Sequence, residues 1–217
     1  MPSKYSVKIF VEDGIYHVYN RGVEKRKIFE EDQDYKAFLH YLKRYLTDED
    51  GEVRPRWKKD LSQNIQLLAY CLMPNHFHLL LKQLSKEYLT IFMRCVSNAY
   101  TRYFNEKYKR IGPLLQGKYK AVLVDKDLYL LHLTRYIHIN PIGHKENITR
   151  SDLVMLTRYP YSSYNAYLGK WTTSWLHPEI ALGFFKNNGN HSYENFVEEY
   201  LMEPNNLIEG YTIDEKD

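Results

Sequence analysis

MPNHFHLLLKQ, residues 73–83, places two histidines one residue apart at the head of an apolar run. In a β-strand, side chains two apart point to the same face. Phe77, Leu79 and Leu81 then turn into a core, while His76, His78 and Lys82 turn the other way. Two imidazoles side by side on one face are half of a metal site, or two surface histidines. The segments on either side fix where that strand sits.

Upstream, NIQLLAYCLM (64–73) reads as a second strand, and Pro74-Asn75 turns the chain from it into the histidine strand. GIYHVYNRG (14–22) alternates and is rich in β-formers, so it reads as a strand ending near Gly22. Between them, residues 30–51 start acidic and carry Phe38, Leu39, Leu42, Tyr45 and Leu46 at helical spacing, ended by Gly51. RPRWKK (54–59) is a basic loop with an aromatic inside it.

Downstream, a long helix is expected from Tyr88 to Lys109, broken before Gly112-Pro113. YKAVLV (119–124) is a fourth strand, and residues 125–140 form a helix capped by Asp125. The order is β-α-β-β-α-β plus one helix, which predicts an α+β, ferredoxin-like fold with an antiparallel sheet. Residues 160–169, 177–185 and 192–202 read as short helices. The chain divides on this reading into a body, 1–145, and a helical C-terminal extension, 146–217, with an acidic tail.

The 217 residues are 44% hydrophobic and 26% charged, enough for a substantial core and unlike a disordered chain. Cys71 and Cys95 offer no disulfide framework. The first residues lack the apolar region of a signal peptide and no stretch approaches a membrane span, so a cytoplasmic protein without membrane partners is expected. The net charge of +3 hides an asymmetry: residues 1–190 hold 29 bases against 19 acids, a net of +10. A basic body with an acidic tail suggests a polyanionic partner. The 21 tyrosines, many beside Lys or Arg, suit stacking on unpaired bases.

Two histidines need a third ligand. RYIHINP (135–141) ends the last helix of the body, and Tyr136 and Asn140, four apart, share a helical face. Pro141 cannot continue the helix, so Asn140 stands at its end, where its amide oxygen could reach a metal.

YHVYNRG, MPNHFHLLLK, GPLLQGKYKAVLVD, RYIHINPI and YPYSSYNAYLG follow one another in this order between residues 14 and 169. Together they resemble the REP-associated tyrosine transposases, relatives of the single-strand insertion-sequence transposases within the His-hydrophobic-His nuclease superfamily. The resemblance implies that His76, His78 and Asn140 are metal ligands and that Tyr136 is the nucleophile on an added catalytic helix. It implies Mg or Mn, which an open, exchangeable site suits better than it suits a closed zinc centre. The implied activity is nicking and rejoining of single-stranded or hairpin DNA, formed by repeats flanking the protein's own gene, through a 5′-phosphotyrosine. A tyrosine is a weak nucleophile at neutral pH until a metal or base assists it.

Arg21, Lys118, Tyr119, Lys120, Arg102 and Arg135 are the candidate DNA contacts. Related transposases include monomers and homodimers with shared sites, so both states stay open at this point. The competing reading from another class is a catalytically silent protein of the same fold that binds hairpin DNA or RNA. A metal hydrolase built on His-x-His would need further His or Asp ligands, and no matching set is visible.

Overall fold

The computed structural model describes residues 10–47, 61–125, 127–143, 149–185 and 192–202. The basic loop 54–59 and the acidic tail beyond residue 202 lie outside them. The strands are β1 (Ile15–Arg21), β2 (Ile65–Met73), β3 (His76–Gln83) and β4 (Lys120–Val124). The helices of the body are α1 (Asp32–Leu46), α2 (Tyr88–Lys107) and α3 (Asp127–Ile139), and a 3₁₀ turn, Asn140–Ile142, closes α3. The extension adds α4 (Arg150–Arg158), α5 (Tyr164–Tyr167), α6 (Glu179–Leu182) and α7 (Tyr193–Met202).

The four strands form one antiparallel sheet in the order β2-β3-β1-β4, so the two central strands are β1 and β3. This is the α+β, ferredoxin-like arrangement that the order of elements predicts. Alternation sends Tyr16, Val18, Phe77, Leu79 and Leu81 into one hydrophobic cluster with α1 and α2. Leu80, Leu68 and Cys71 join a second cluster on the opposite face, with Leu130, Leu133, Tyr136 and Ile137 of α3. The sheet is therefore covered on both sides, and α3 is pressed onto the face that carries the histidines.

Two local expectations change, while the cap expected at Asp125 turns on residue 126, which lies outside the described residues. The helix expected over 160–169 shrinks to Tyr164–Tyr167, because the chain just before it pairs with the edge strand: Leu72 donates to the Tyr161 carbonyl (2.9 Å) and Ser163 to the Tyr70 carbonyl (3.0 Å). Covering the outer edge of β2 removes a row of unpaired backbone groups. Finally, α4 was not anticipated, although Thr149 and Asp152 form a reciprocal capping box at its start.

The layer of α1 and α2 is held by Asp34, fully buried. It accepts from Lys107 Nζ (2.6 Å), Tyr108 Oη (2.8 Å), Tyr103 Oη (3.1 Å) and the Glu30 and Glu31 backbone N–H groups (2.9 and 3.2 Å). Burial works to raise its pKa, but the Lys107 ammonium, the Tyr108 hydroxyl and the two backbone donors outweigh it and hold the carboxyl below its usual value. A depressed pKa stabilises the fold above the unfolded value of about 4, and that stability is lost as pH falls through the folded pKa. Asp34→Ala should therefore cost about 2–3 kcal/mol at pH 7. In urea titrations the gap to wild type should close as pH falls below about 4; a gap independent of pH would remove the carboxylate's role.

Candidate functional site

Strand register brings the site together. On β1 and β3, Arg21 lies opposite His76, Tyr19 opposite His78 and His17 opposite Leu80. Period-two alternation puts His17, Tyr19, His76 and His78 on one face, the face that α3 covers. The His76 and His78 rings are 5.0 Å apart between centroids and nearly perpendicular. From α3, the Tyr136 ring meets His78 edge-on at 5.4 Å. One turn later, Asn140 Oδ1 lies 3.5 Å from His76 Nε2. All four residues singled out by the sequence thus meet at one place, and the two imidazoles share a face.

Hydrogen bonds fix how these groups present themselves. Asn75 Nδ2 donates to the Lys25 carbonyl (3.3 Å), which leaves Asn75 Oδ1 to face His76 Nδ1 at 2.7 Å. His76 then carries its proton on Nδ1 and offers a lone pair at Nε2. Asn140 Nδ2 donates to the Tyr136 carbonyl (2.8 Å), turning Oδ1 towards His76. In the neutral ring this tautomer sets a lone pair opposite the Asn140 amide oxygen, two acceptors that a cation between them would satisfy. The buried Nε2 of His78 has no hydrogen-bond partner.

A divalent cation suits this donor set, since it would satisfy the acceptors that face each other and the orphaned nitrogen. Among the described residues no group of three His, Cys, Asp or Glu side chains could hold a metal; the oxygen that could stand beside the two imidazoles is the neutral Oδ1 of Asn140. Burial, followed by the neighbouring His76 and His17 rings, pulls the His78 pKa well below its ordinary value, with Asn140 acting against them. His78 is therefore neutral at physiological pH, the state a ligand requires. His78 is fully buried, whereas His76 and Asn140 are half-buried, so the site opens on their side.

At that open side the chain is tightly built. Gly22 follows Arg21, and a Cβ there would meet the Arg26 carbonyl oxygen at 2.1 Å, so only glycine fits. Arg21 Nε donates to Gln116 Oε1 (2.6 Å), and Asn20 Nδ2 to the Gly117 carbonyl (3.2 Å). Lys118 is exposed beside them. Tyr119 is half-buried with its hydroxyl 3.2 Å from Thr90 Oγ1, and the Lys120 ammonium lies 5.9 Å from the Tyr19 ring. Arg21, Lys118 and Lys120 therefore flank the histidine end of β1 and β3, whereas the Tyr119 ring turns to the other face of the sheet and packs against the α1 and α2 layer.

Besides Tyr119, two other candidates stand apart from the site. Arg102 is exposed on α2, in the layer on the far side of the sheet. Arg135, although next to Tyr136, is only 5% exposed. Its guanidinium stacks on Phe196 and Tyr200 of α7, 4.3 and 3.8 Å from the ring centroids. It also donates to His132 Nδ1 (2.7 Å) and the Phe196 carbonyl (3.3 Å). Consecutive helix positions point about 100° apart, so Tyr136 faces the sheet while Arg135 faces α7. A phosphate would have to displace α7 to reach Arg135, which makes it a packing residue in this structure.

His17 is the residue that the sequence reading missed. It is fully buried, its ring nearly parallel to that of His78 with centroids 5.2 Å apart, and its Nε2 lies 2.9 Å from His78 Nδ1. The alternation of IYHVYNR carries the signal: once β1 pairs with β3, His17 and Tyr19 must share the face of His76 and His78.

The sequence model of a family described as "Transposase IS200 like" matches residues 10–140. Among solved structures, a REP-associated tyrosine transposase bound to a REP hairpin superposes with a TM-score of 0.56 at 12% identity, over 79% of this chain and 92% of that one. A putative transposase from Deinococcus radiodurans R1 gives a TM-score of 0.39 at 17% identity, over 61% of this chain and 94% of that one. No curated protein matches the sequence. Among the described residues, no helix is long and apolar enough to cross a membrane.

Proposed function

The chain belongs to the family of IS200-like transposases, and from that premise we propose that it nicks and rejoins single-stranded or hairpin DNA through a 5′-phosphotyrosine. The observation that carries this reading is the meeting of Tyr136 and Asn140, from α3, with His76 and His78 of β3.

Tyr136 Oη attacks the scissile phosphorus, the bond from phosphorus to the 3′ oxygen breaks, and that oxygen takes up one proton while the phenol gives one up. One phosphodiester is exchanged for another, so a free 3′-OH can reverse the step without ATP. His76, His78 and Asn140 are suited to hold Mg or Mn, and such an ion supplies neutralisation of the charge that develops on phosphate and leaving-group oxygens. The protein's own task is positioning. The hydrogen bond from Asn140 to the Tyr136 carbonyl ties the nucleophile's helical turn to the ligand set, and packing of Leu133 and Ile137 on the sheet fixes the helix above the histidines.

The DNA arrives, on this reading, over Arg21, Lys118 and Lys120, since these flank the open side. Lys118→Ala should weaken hairpin binding and reduce the slope of log affinity against log salt by about 0.7–0.9, the value of one phosphate contact. Arg135→Ala should leave that slope alone and instead destabilise the fold by about 2–4 kcal/mol, as loss of a buried, stacked cation does. The reverse pattern, a slope change for Arg135 and none for Lys118, would relocate the DNA path.

The protein's reaction is tested with hairpin oligonucleotides made from the repeats flanking its gene. With Mg or Mn present, a covalent protein–DNA species should survive denaturing electrophoresis. Tight hairpin binding without any adduct would favour the silent-binder alternative.

A further inference from the structure

Each histidine of the pair has its Nδ1 engaged by a neighbouring polar group. For His76 the group is the Asn75 amide oxygen (2.7 Å). For His78 it is another imidazole, His17 Nε2, at 2.9 Å. A neutral imidazole has one N–H and one lone pair, so the partner at Nδ1 decides what Nε2 can do. With the proton on Nδ1, the buried Nε2 of His78 presents a lone pair. With the proton on Nε2, it cannot bind a cation at all.

We propose that His17 is a positioning residue: it accepts the Nδ1–H of His78 and so fixes the tautomer whose Nε2 can bind a divalent cation. This rests on the metal reading above. Three features support it. His17 lies on the same face of the adjacent strand, two residues before Tyr19, the residue opposite His78. Its ring is parallel to that of His78 within 14°, and with centroids 5.2 Å and nitrogens 2.9 Å apart the two rings meet edge to edge, which aims the ring N–H at the facing lone pair. Both rings are fully buried, so water does not compete for the hydrogen bond.

The choice of imidazole has a chemical consequence. Ligand histidines are often oriented by a carboxylate. A carboxylate buried here would carry a full charge that is costly without a partner and would repel the DNA phosphate. His17 supplies the acceptor without the charge, so a cation held at His78 keeps its positive charge for the phosphodiester.

The test measures Mn binding to metal-free protein without DNA, by electron paramagnetic resonance of the free ion. His17→Leu, which has no acceptor, should bind Mn 10–100-fold more weakly than wild type, the usual effect of removing such a partner. His17→Gln, whose amide oxygen can still accept, should recover most of that loss. His17→Leu with wild-type affinity would overturn the inference while leaving the metal reading intact. A wild-type protein that binds no Mn would sink the metal reading and the inference with it. If His17→Leu fails to fold, ¹⁵N spectra of metal-free wild type decide instead: His78 should already show the Nδ1–H form, and the Nε2–H form would overturn the proposal.

Discussion

Tyr136→Phe should abolish the covalent protein–DNA adduct while leaving hairpin affinity within about a factor of two. The substitution removes one oxygen, the attacking atom, and keeps the ring. That ring packs in the second hydrophobic cluster and against His78, so helix α3 should stay in place. Since few binding contacts are lost, the effect belongs to the chemical step. Electrophoresis under denaturing conditions reads the adduct and fluorescence anisotropy reads the affinity. An adduct that persists in Tyr136→Phe would move the nucleophile to another tyrosine. Tyr129, two turns earlier on α3 and about 10 Å away along its axis, is next in line, followed by Tyr119.

His76→Ala and His78→Ala should also abolish cleavage, by removing ligands and with them several kcal/mol of charge stabilisation in the transition state, about a thousand-fold or more in rate. EDTA should reproduce the loss in wild type, and added Mg or Mn should restore it. Asn140→Ala should do less damage, because water can replace one neutral oxygen on a hard cation. It would also break the hydrogen bond to the Tyr136 carbonyl, so its loss should appear in the rate of adduct formation and not in hairpin affinity. An Asn140 variant as inactive as the histidine variants would mean that its part in positioning exceeds its part as a ligand.

The histidine pair, its strand and the helix carrying Tyr136 and Asn140 were legible because each depends on local periodicity: two for MPNHFHLLLKQ, four for Tyr136 and Asn140. Strand order follows from the succession of elements, since a split βαββαβ unit has few ways to pair. His17 was legible in principle, but its meaning appears only when β1 and β3 are set in register. Arg135 was not legible: what buries it is Phe196 and Tyr200, about sixty residues away, and no local pattern announces that α7 lies on α3. The same long-range packing joins Tyr193, Val197 and Leu201 to the cluster that holds Tyr136. It also leaves His138 of α3 fully buried between Tyr193 Oη (2.6 Å) and Ser163 Oγ (2.7 Å). The extension thus braces the helix of the candidate nucleophile, a role its own weak periodicity did not announce.

The most direct measurement is the site of attachment. The wild-type adduct, formed on a flanking-repeat hairpin with Mg or Mn, is digested with trypsin and a nuclease and analysed by mass spectrometry. Cleavage after Arg135 and Lys145 gives the peptide YIHINPIGHK, with Tyr136 as its sole tyrosine. The predicted result is that this peptide carries the 5′-nucleotide on its tyrosine. A nucleotide on any other peptide, or a hairpin cut without any nucleotide left on the protein, would contradict it.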